Sequence, residues 1–258
     1  MTSIYFEQQG SGQDVVLIHG WGLHGGIYSS LAERLGEDYR VTVVDLPGHG
    51  RSAALDHHFD LDKTAEALVK IVGKPAIWFG WSLGALIAMT IAMRHAQMTA
   101  ALVLVSATPK FIKSEDWDFA MAPQTLEGFA AELNDDYKKT LDRFLSLQIG
   151  KEKNSRDLIR RLREQVLSHG EPNPDALAAG LDILRDVDLR PQLAAIEQPA
   201  LVINGGRDRL TPPAAGEYLA NNLANARYTV FEDAGHAAFL SHEQAFTTRL
   251  KEFLNEPR

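Results

Sequence analysis

Cysteine is absent from this chain, so no disulfide, thiolate metal site or thiol nucleophile can be built from it. Long apolar runs are missing as well, and none approaches the roughly 18 residues of a membrane-spanning helix. Residues Met1 to Gly12 show no cationic stretch followed by an apolar one, so no secretory signal is expected there. Positive charge is in deficit. Lys and Arg number 26 against 34 Asp and Glu, a formal charge of −8, which argues against nucleic acid or an anionic membrane as partner. Internal repeats and low-complexity tracts are lacking too. What is present, 258 residues of which 45% are hydrophobic, suffices for one large core with room for an inserted subdomain. The expectation is a globular, cytoplasmic, monomeric protein without membrane attachment.

Short apolar runs alternate with helical patterns over the first hundred residues. Val15 to Ile18, Val41 to Val44, Ala76 to Phe79 and Ala101 to Val105 lack polar alternation, as expected of parallel strands covered on both faces. Tyr28 to Leu35, Leu61 to Val72 and Ala85 to Arg94 carry helical spacing between them. This rhythm predicts an α/β fold with a doubly wound, mostly parallel sheet. Strands resume at Ala200 to Asn204 and Arg227 to Phe231, before a last helix from Glu243 to Leu254. In between, Phe144, Leu145, Leu147 and then Leu158, Ile159, Leu162, Val166 recur at helical spacing, with no buried strand. The expected organisation is therefore a core of residues 1–110 and 190–258, interrupted by a helical lid over residues 111–189.

Gly80-Trp81-Ser82-Leu83-Gly84 lies between an apolar run and a helix-forming run. A strand that turns sharply into a helix brings two backbones close together, and small residues two positions either side of the apex permit it. Chance also supplies such five-residue patterns, so the strand–turn–helix setting carries the weight. It predicts Ser82 as a strained, presented nucleophile. A serine hydroxyl needs a base, and after such an elbow an acid and then a histidine follow in the chain.

His95, His169, His236 and His242 lie downstream. His95 falls at the end of a helix, His169 beside Gly170 in the insertion and His242 at the approach to the last helix, where surface or cap roles are the default. His236 directly follows the last predicted strand, at the sheet edge where catalytic loops gather, and is the expected base. Asp208, four residues past the strand ending at Asn204, is the expected acid, although a turn aspartate bonding its own backbone reads the same way. Asp233 is a rival, but it lies very close in sequence to His236. An aspartate bonded to Nδ1 of His236 fixes the tautomer and stabilises the imidazolium.

Val15 to Gly22 reads as a strand entering a glycine-flanked loop. The backbone N–H groups of Trp21 and Leu83 are positioned by sequence to meet a developing oxyanion. His19 reads as a brace for that loop, and Asp45 to Ser52 as a tight scaffold turn. The histidines do not cluster at metal-ligand spacing. Gly20-Trp21-Gly22-Leu23-His24-Gly25 lacks the partner acid of a dinucleotide site, so neither metal nor cofactor is expected.

Between Lys138 and Arg163 stand nine basic residues against three acidic ones. Arg156, Arg160 and Arg163 share one helix face, opposite Leu158, Ile159, Leu162 and Val166. Such a face is ordinarily just solvated, but its contrast with an acidic chain makes a docking role worth weighing.

Taken together, His19 to Gly22, Asp45 to Ser52, the serine elbow, Gly205 to Asp208 and Gly235-His236 resemble the α/β-hydrolase superfamily. The nucleophilic serine sets the chain apart from the dehalogenases and epoxide hydrolases of that superfamily, which use aspartate there. Leu17 to Leu23, Ala76 to Leu86, Leu133 to Gln148, Gly180 to Leu184, Val187 to Arg190 and Gly235 to His242 are similar to the pimeloyl-[acyl-carrier-protein] methyl ester esterases of biotin synthesis. That resemblance implies a Ser82–Asp208–His236 triad and an oxyanion hole at Trp21 and Leu83. It implies a substrate pocket of Trp21, Leu83, Phe144, Leu145, Ser146, Leu147 and Gln148. It further implies that Lys139, Arg143, Arg156 and Arg160 meet an acidic acyl carrier protein. Lys139 stands where the family has arginine, which keeps the charge and loses the bidentate fork. A broad short-chain carboxylesterase, a C–C bond hydrolase of the same fold and a non-catalytic binding protein are the alternatives.

Overall fold

In a computed structural model of the chain, residues 4–53, 59–135, 139–140, 142–143, 145–146 and 155–256 are described. Seven strands form one sheet in the order β1-β3-β2-β4-β5-β6-β7. They are β1 (Phe6–Gln9), β2 (Asp14–Ile18), β3 (Arg40–Val44), β4 (Ala76–Trp81), β5 (Thr99–Val105), β6 (Ala200–Gly205) and β7 (Ala226–Phe231). All neighbours pair in parallel except β1, which lies antiparallel to β3. The pattern of apolar runs anticipates six of these strands and misses β1. Its four residues, Phe-Glu-Gln-Gln, are all exposed on an edge, so no buried face marks the sequence.

Parallel strands bury both faces, and alternate residues of each run separate into two cores. Val16, Ile18, Val44, Trp78, Leu102, Leu104 and Val202 face one layer. That layer holds α2 (Leu61–Val72), α3 (Leu83–Arg94) and α7 (Pro213–Asn222). Val15, Leu17, Val41, Val43, Ile77, Phe79, Val103, Val105 and Ile203 face the other. There α1 (Ser29–Gly36) and α9 (Glu243–Leu254) pack, with the short α8 (Ala238–Ser241) between sheet and α9. Phe79 touches three rings of this layer, Tyr28, Phe239 and Phe246. Removing a ring so placed costs about 3–5 kcal/mol. The helix that follows the elbow, α3, is buried over nearly its whole length, from Leu83 to Ala92. It therefore holds the start of the helix rigid under Ser82.

Between β5 and β6 the described residues contain no strand of the sheet. They form α4 (Pro123–Asp135), α5 (Ser155–Leu167) and α6 (Pro174–Asp186), with three isolated bridges, Lys110 to Asp188, Ile112 to Met121 and Ser114 to Trp117. Asn173 caps α6 by accepting from Ala176 N at 3.0 Å, and Pro174 follows at the first helical position. Among the described residues no helix is long and apolar enough to cross a membrane.

Candidate active site

Ser82 stands at the junction of β4 and α3 with φ 57° and ψ −118°, one of two non-glycine residues with positive φ among those described. Such a conformation persists only when its surroundings impose it. The flanking glycines show how. A Cβ on Gly80 would lie 2.3 Å from Gly84 O, and one on Gly84 would lie 2.3 Å from Ile18 O. Both contacts are with backbone that cannot yield, so the elbow closes only with glycine at both positions. Ser82 N is tied to Val105 O at 3.0 Å, and the side chain is nearly buried.

His236 and Asp208 come from the loops after β7 and β6. Arg207 N donates to Ala234 O at 2.9 Å, stitching one loop to the other. His236 Nδ1 lies 2.7 Å from Asp208 Oδ2, with both side chains fully buried. Asp208 is saturated with donors. Leu210 N and Thr211 N donate to Oδ1 at 2.8 and 2.9 Å, and Thr211 Oγ1 donates to Oδ2 at 2.6 Å. Burial alone would raise the Asp208 pKa; the charge of His236 and the bonds from His236 and Thr211 outweigh it, so the carboxyl sits below its ordinary value. The aspartate is ionised, with His236 Nδ1–H as donor. The opposite nitrogen, Nε2, is buried and has no hydrogen-bond partner among the described residues, as suits a group that accepts a proton. Trp81 steadies the histidine from beneath by donating Nε1–H to His236 O at 2.8 Å.

The loop after β2 runs beside the nucleophile, since a Cβ on Gly20 would lie 3.3 Å from Ser82 Cβ. His19 braces it as anticipated. Its Nδ1–H donates to Gly20 O at 2.8 Å and its Nε2 accepts from Leu46 N at 2.8 Å, which requires the neutral ring. Burial first, then the neighbouring His49, pushes the His19 pKa down to about 3. Asp45 anchors the scaffold turn through Gly25 N at 2.8 Å and Arg51 N and Nε at 2.9 Å each. Leu83 opens α3, where the first amides have no acceptor within the helix and the dipole favours negative charge.

The rival groups lie elsewhere. Asp233 pairs with Arg207 at the surface. His95 caps the end of α3. His242 Nδ1 lies 2.9 Å from Ser241 Oγ. His169 is exposed, its ring meeting that of His24 at 4.9 Å. Of the lid residues, Leu145 is buried in the cluster that includes Leu162 and Val166, and exposed Ser146 donates to Asp142 O at 2.7 Å. Lys139 and Arg160 are exposed. Arg143 pairs with Glu132 and lies 5.1 Å over the Phe129 ring. Phe144, Leu147, Gln148 and the side chain of Arg156 lie outside the described residues. Among those described, no group of three or more His, Asp or Glu is placed to hold a metal ion.

Sequence reasoning missed Thr211. A hydroxyl three residues after the acid and directly before Pro212 is a turn signal that points to it. It also missed the role of α6, whose contacts to the Trp21 loop span more than 150 positions in the chain.

The alpha/beta hydrolase fold family matches residues 15–243. A pimeloyl-[acyl-carrier protein] methyl ester esterase of Chromobacterium violaceum is 42% identical over 252 residues, covering 98% of each chain. Enzymes of the same description from Vibrio campbellii and Nitrosomonas europaea are 37% and 38% identical, covering 98% and 96% of this chain and 98% of each of theirs. Among solved structures, an esterase from Exiguobacterium antarcticum superposes with TM-score 0.91 at 27% identity, covering 99% of this chain and 96% of its own.

Proposed function

We propose that this chain, which belongs to the alpha/beta hydrolase fold family and within it to the pimeloyl-[acyl-carrier protein] methyl ester esterases, hydrolyses the methyl ester of a carrier-bound pimeloyl chain in biotin synthesis, with Ser82, His236 and Asp208 as its triad. The observation that carries the chemistry is the buried 2.7 Å pair of His236 Nδ1 and Asp208 Oδ2, with the free Nε2 turned away from the acid. The substrate rests on full-length similarity to enzymes of that description.

His236 Nε2 takes the proton of Ser82 Oγ as that oxygen attacks the ester carbonyl. The tetrahedral oxyanion accepts hydrogen bonds from the N–H groups of Trp21 and Leu83. His236 returns the proton to the departing methoxide, which leaves as methanol. Water then gives a proton to His236 and attacks the acyl-enzyme. Collapse returns that proton to Ser82 and frees the pimeloyl carboxylate. Asp208 stays ionised throughout and stabilises the imidazolium formed in both steps.

Trp21, Leu83, Leu145 and Ser146, with Phe144, Leu147 and Gln148, line the acyl site in this reading. Lys139, Arg143, Arg156 and Arg160 meet the acidic carrier protein. Exposed charges of this kind raise association rates and are screened by salt. Turnover of the carrier-linked ester should therefore fall with ionic strength, while that of a small ester stays flat. Equal salt dependence of the two would remove the carrier-docking surface. A broad carboxylesterase is the second reading, favoured by the likeness to the Exiguobacterium esterase. The deciding experiment is growth of a biotin-requiring strain lacking its own esterase, supplied with the wild type or with Ser82→Ala. Growth on the wild type alone supports the reading; growth on both, or on neither, refutes it.

A further inference from the structure

The helix α6 belongs to the segment between β5 and β6, yet it is bolted to the core at both ends. Asn173 N donates to Gly48 O at 2.7 Å before its first turn, and Leu189 N donates to Pro109 O at 2.9 Å after its last. Between those anchors it touches both residues assigned to the oxyanion hole. Trp21 Nε1–H donates to Leu177 O at 2.8 Å, both residues being buried. One turn further along, a Cβ on Gly180 would lie 2.7 Å from Trp21 Cδ1, 3.1 Å from Trp21 Nε1 and 3.7 Å from Leu83 Cδ2. The indole is 2% exposed and is held by its hydrogen bond, so it has no room to retreat. Glycine within a helix is less favourable than alanine, which makes a packing reason for Gly180 the more pointed.

We infer that Gly180 is a positioning residue: with Leu177 O it seats the Trp21 indole against α6 and so sets the Trp21 amide opposite that of Leu83 at the oxyanion. This rests on the proposed role of those two amides as oxyanion donors. It adds that α6 is a fixed strut of the catalytic apparatus, distinct in role from any part of the insertion that merely covers substrate. Rate stabilisation by such donors depends on placement within a fraction of an ångström, so a displaced amide lowers kcat and leaves ground-state binding largely intact.

The test compares wild type, Gly180→Ala, Trp21→Ala and the double variant on p-nitrophenyl butyrate. An alkyl trifluoromethyl ketone, whose serine adduct places an oxyanion in the hole, serves as probe of that site. Gly180→Ala is expected to lower kcat about tenfold or more with KM changed less than about threefold, and to weaken the ketone in parallel. Melting temperature should fall only modestly, because the gain in helix propensity offsets part of the crowding, and the variant should stay folded at the assay temperature. Alanine at position 21 carries none of the ring atoms that meet the added methyl, so the double variant should turn over no more slowly than Trp21→Ala alone. Wild-type kcat and ketone affinity in Gly180→Ala would overturn the inference. So would a loss of kcat that tracks the fraction unfolded at the assay temperature and adds fully to that of Trp21→Ala. An inactive wild type, with Ser82 unlabelled by a fluorophosphonate, would refute the proposed reaction and this role with it. Failure of Gly180→Ala alone in an active enzyme refutes only the role of the strut.

Discussion

His236 Nδ1 and Asp208 Oδ2 face each other at 2.7 Å with both side chains wholly shielded from solvent. In such a place the carboxylate governs which imidazole nitrogen carries the proton. Asp208→Asn keeps the shape but can offer an N–H to Nδ1, favouring the tautomer that protonates Nε2 and disables the base. We expect kcat to fall by about 10³–10⁴ with KM little changed. Steady-state kinetics on a chromogenic ester, with circular dichroism to confirm folding, checks this.

Thr211 donates to the same oxygen that holds His236 and lies 3.3 Å from His236 Nδ1. Its hydroxyl takes up part of the Asp208 charge. Thr211→Val removes that donor at nearly constant volume and concentrates the charge on the bond to the imidazole. The imidazolium is then better stabilised, so the acid limb of the kcat/KM profile should move to higher pH by several tenths of a unit or more. Thr211→Ser should restore it. An unmoved limb in the valine variant would show that the hydroxyl serves packing alone.

The elbow was legible because its pattern is local: Gly80 is needed by its contact with Gly84 O, although Gly84 is itself needed by Ile18 O on the neighbouring strand. Six strands were legible from apolar runs whose alternate residues feed two cores, and only exposed β1 escaped for want of such a run. Asp208 and Asp233 were harder to separate, since both follow a strand near the catalytic edge. Their partners decide, His236 for one and Arg207 for the other. Gly180 and Leu177 were illegible as neighbours of the Trp21 indole. Nothing in a helix sequence declares which distant ring will lie against its bare face, and that information exists only after the chain has closed.

Asp45 is 1% exposed at its side chain and holds Gly25 N, Arg51 N and Arg51 Nε. Asp45→Ala strands two amides and half-orphans a guanidinium, and should lower stability by roughly 2–4 kcal/mol. Arg185, exposed beside Asp182 and Asp186, offers the contrast. Its ion pairs lie in water and are screened, so Arg185→Ala should leave the urea midpoint where it was. A midpoint as sensitive to Arg185 as to Asp45 would mean that burial does not decide what an ion pair contributes in this protein.

His19 and His49 carry a pH dependence of their own. Burial, joined at His19 by the nearby His49, lowers their pKa values to about 3 and about 4 from the ordinary 6.5. Both rings therefore stay neutral in the folded chain where the unfolded chain is already protonated. Between about pH 4 and 6.5 the unfolded state binds more protons, so stability rises with pH and is lost as pH falls. Each histidine contributes a slope approaching about 1.4 kcal/mol per pH unit near the middle of that window. Above pH 7 the contribution is complete and the slope vanishes. Urea unfolding at pH 7.5, 6, 5.5 and 5 reads the slope, and imidazole resonances followed by NMR assign it. The two rings should remain neutral in the folded protein to at least pH 5. A flat stability between pH 7 and 5, or a His19 resonance titrating near 6.5, would mean that the loop beside Ser82 tolerates a charge its hydrogen bonds forbid.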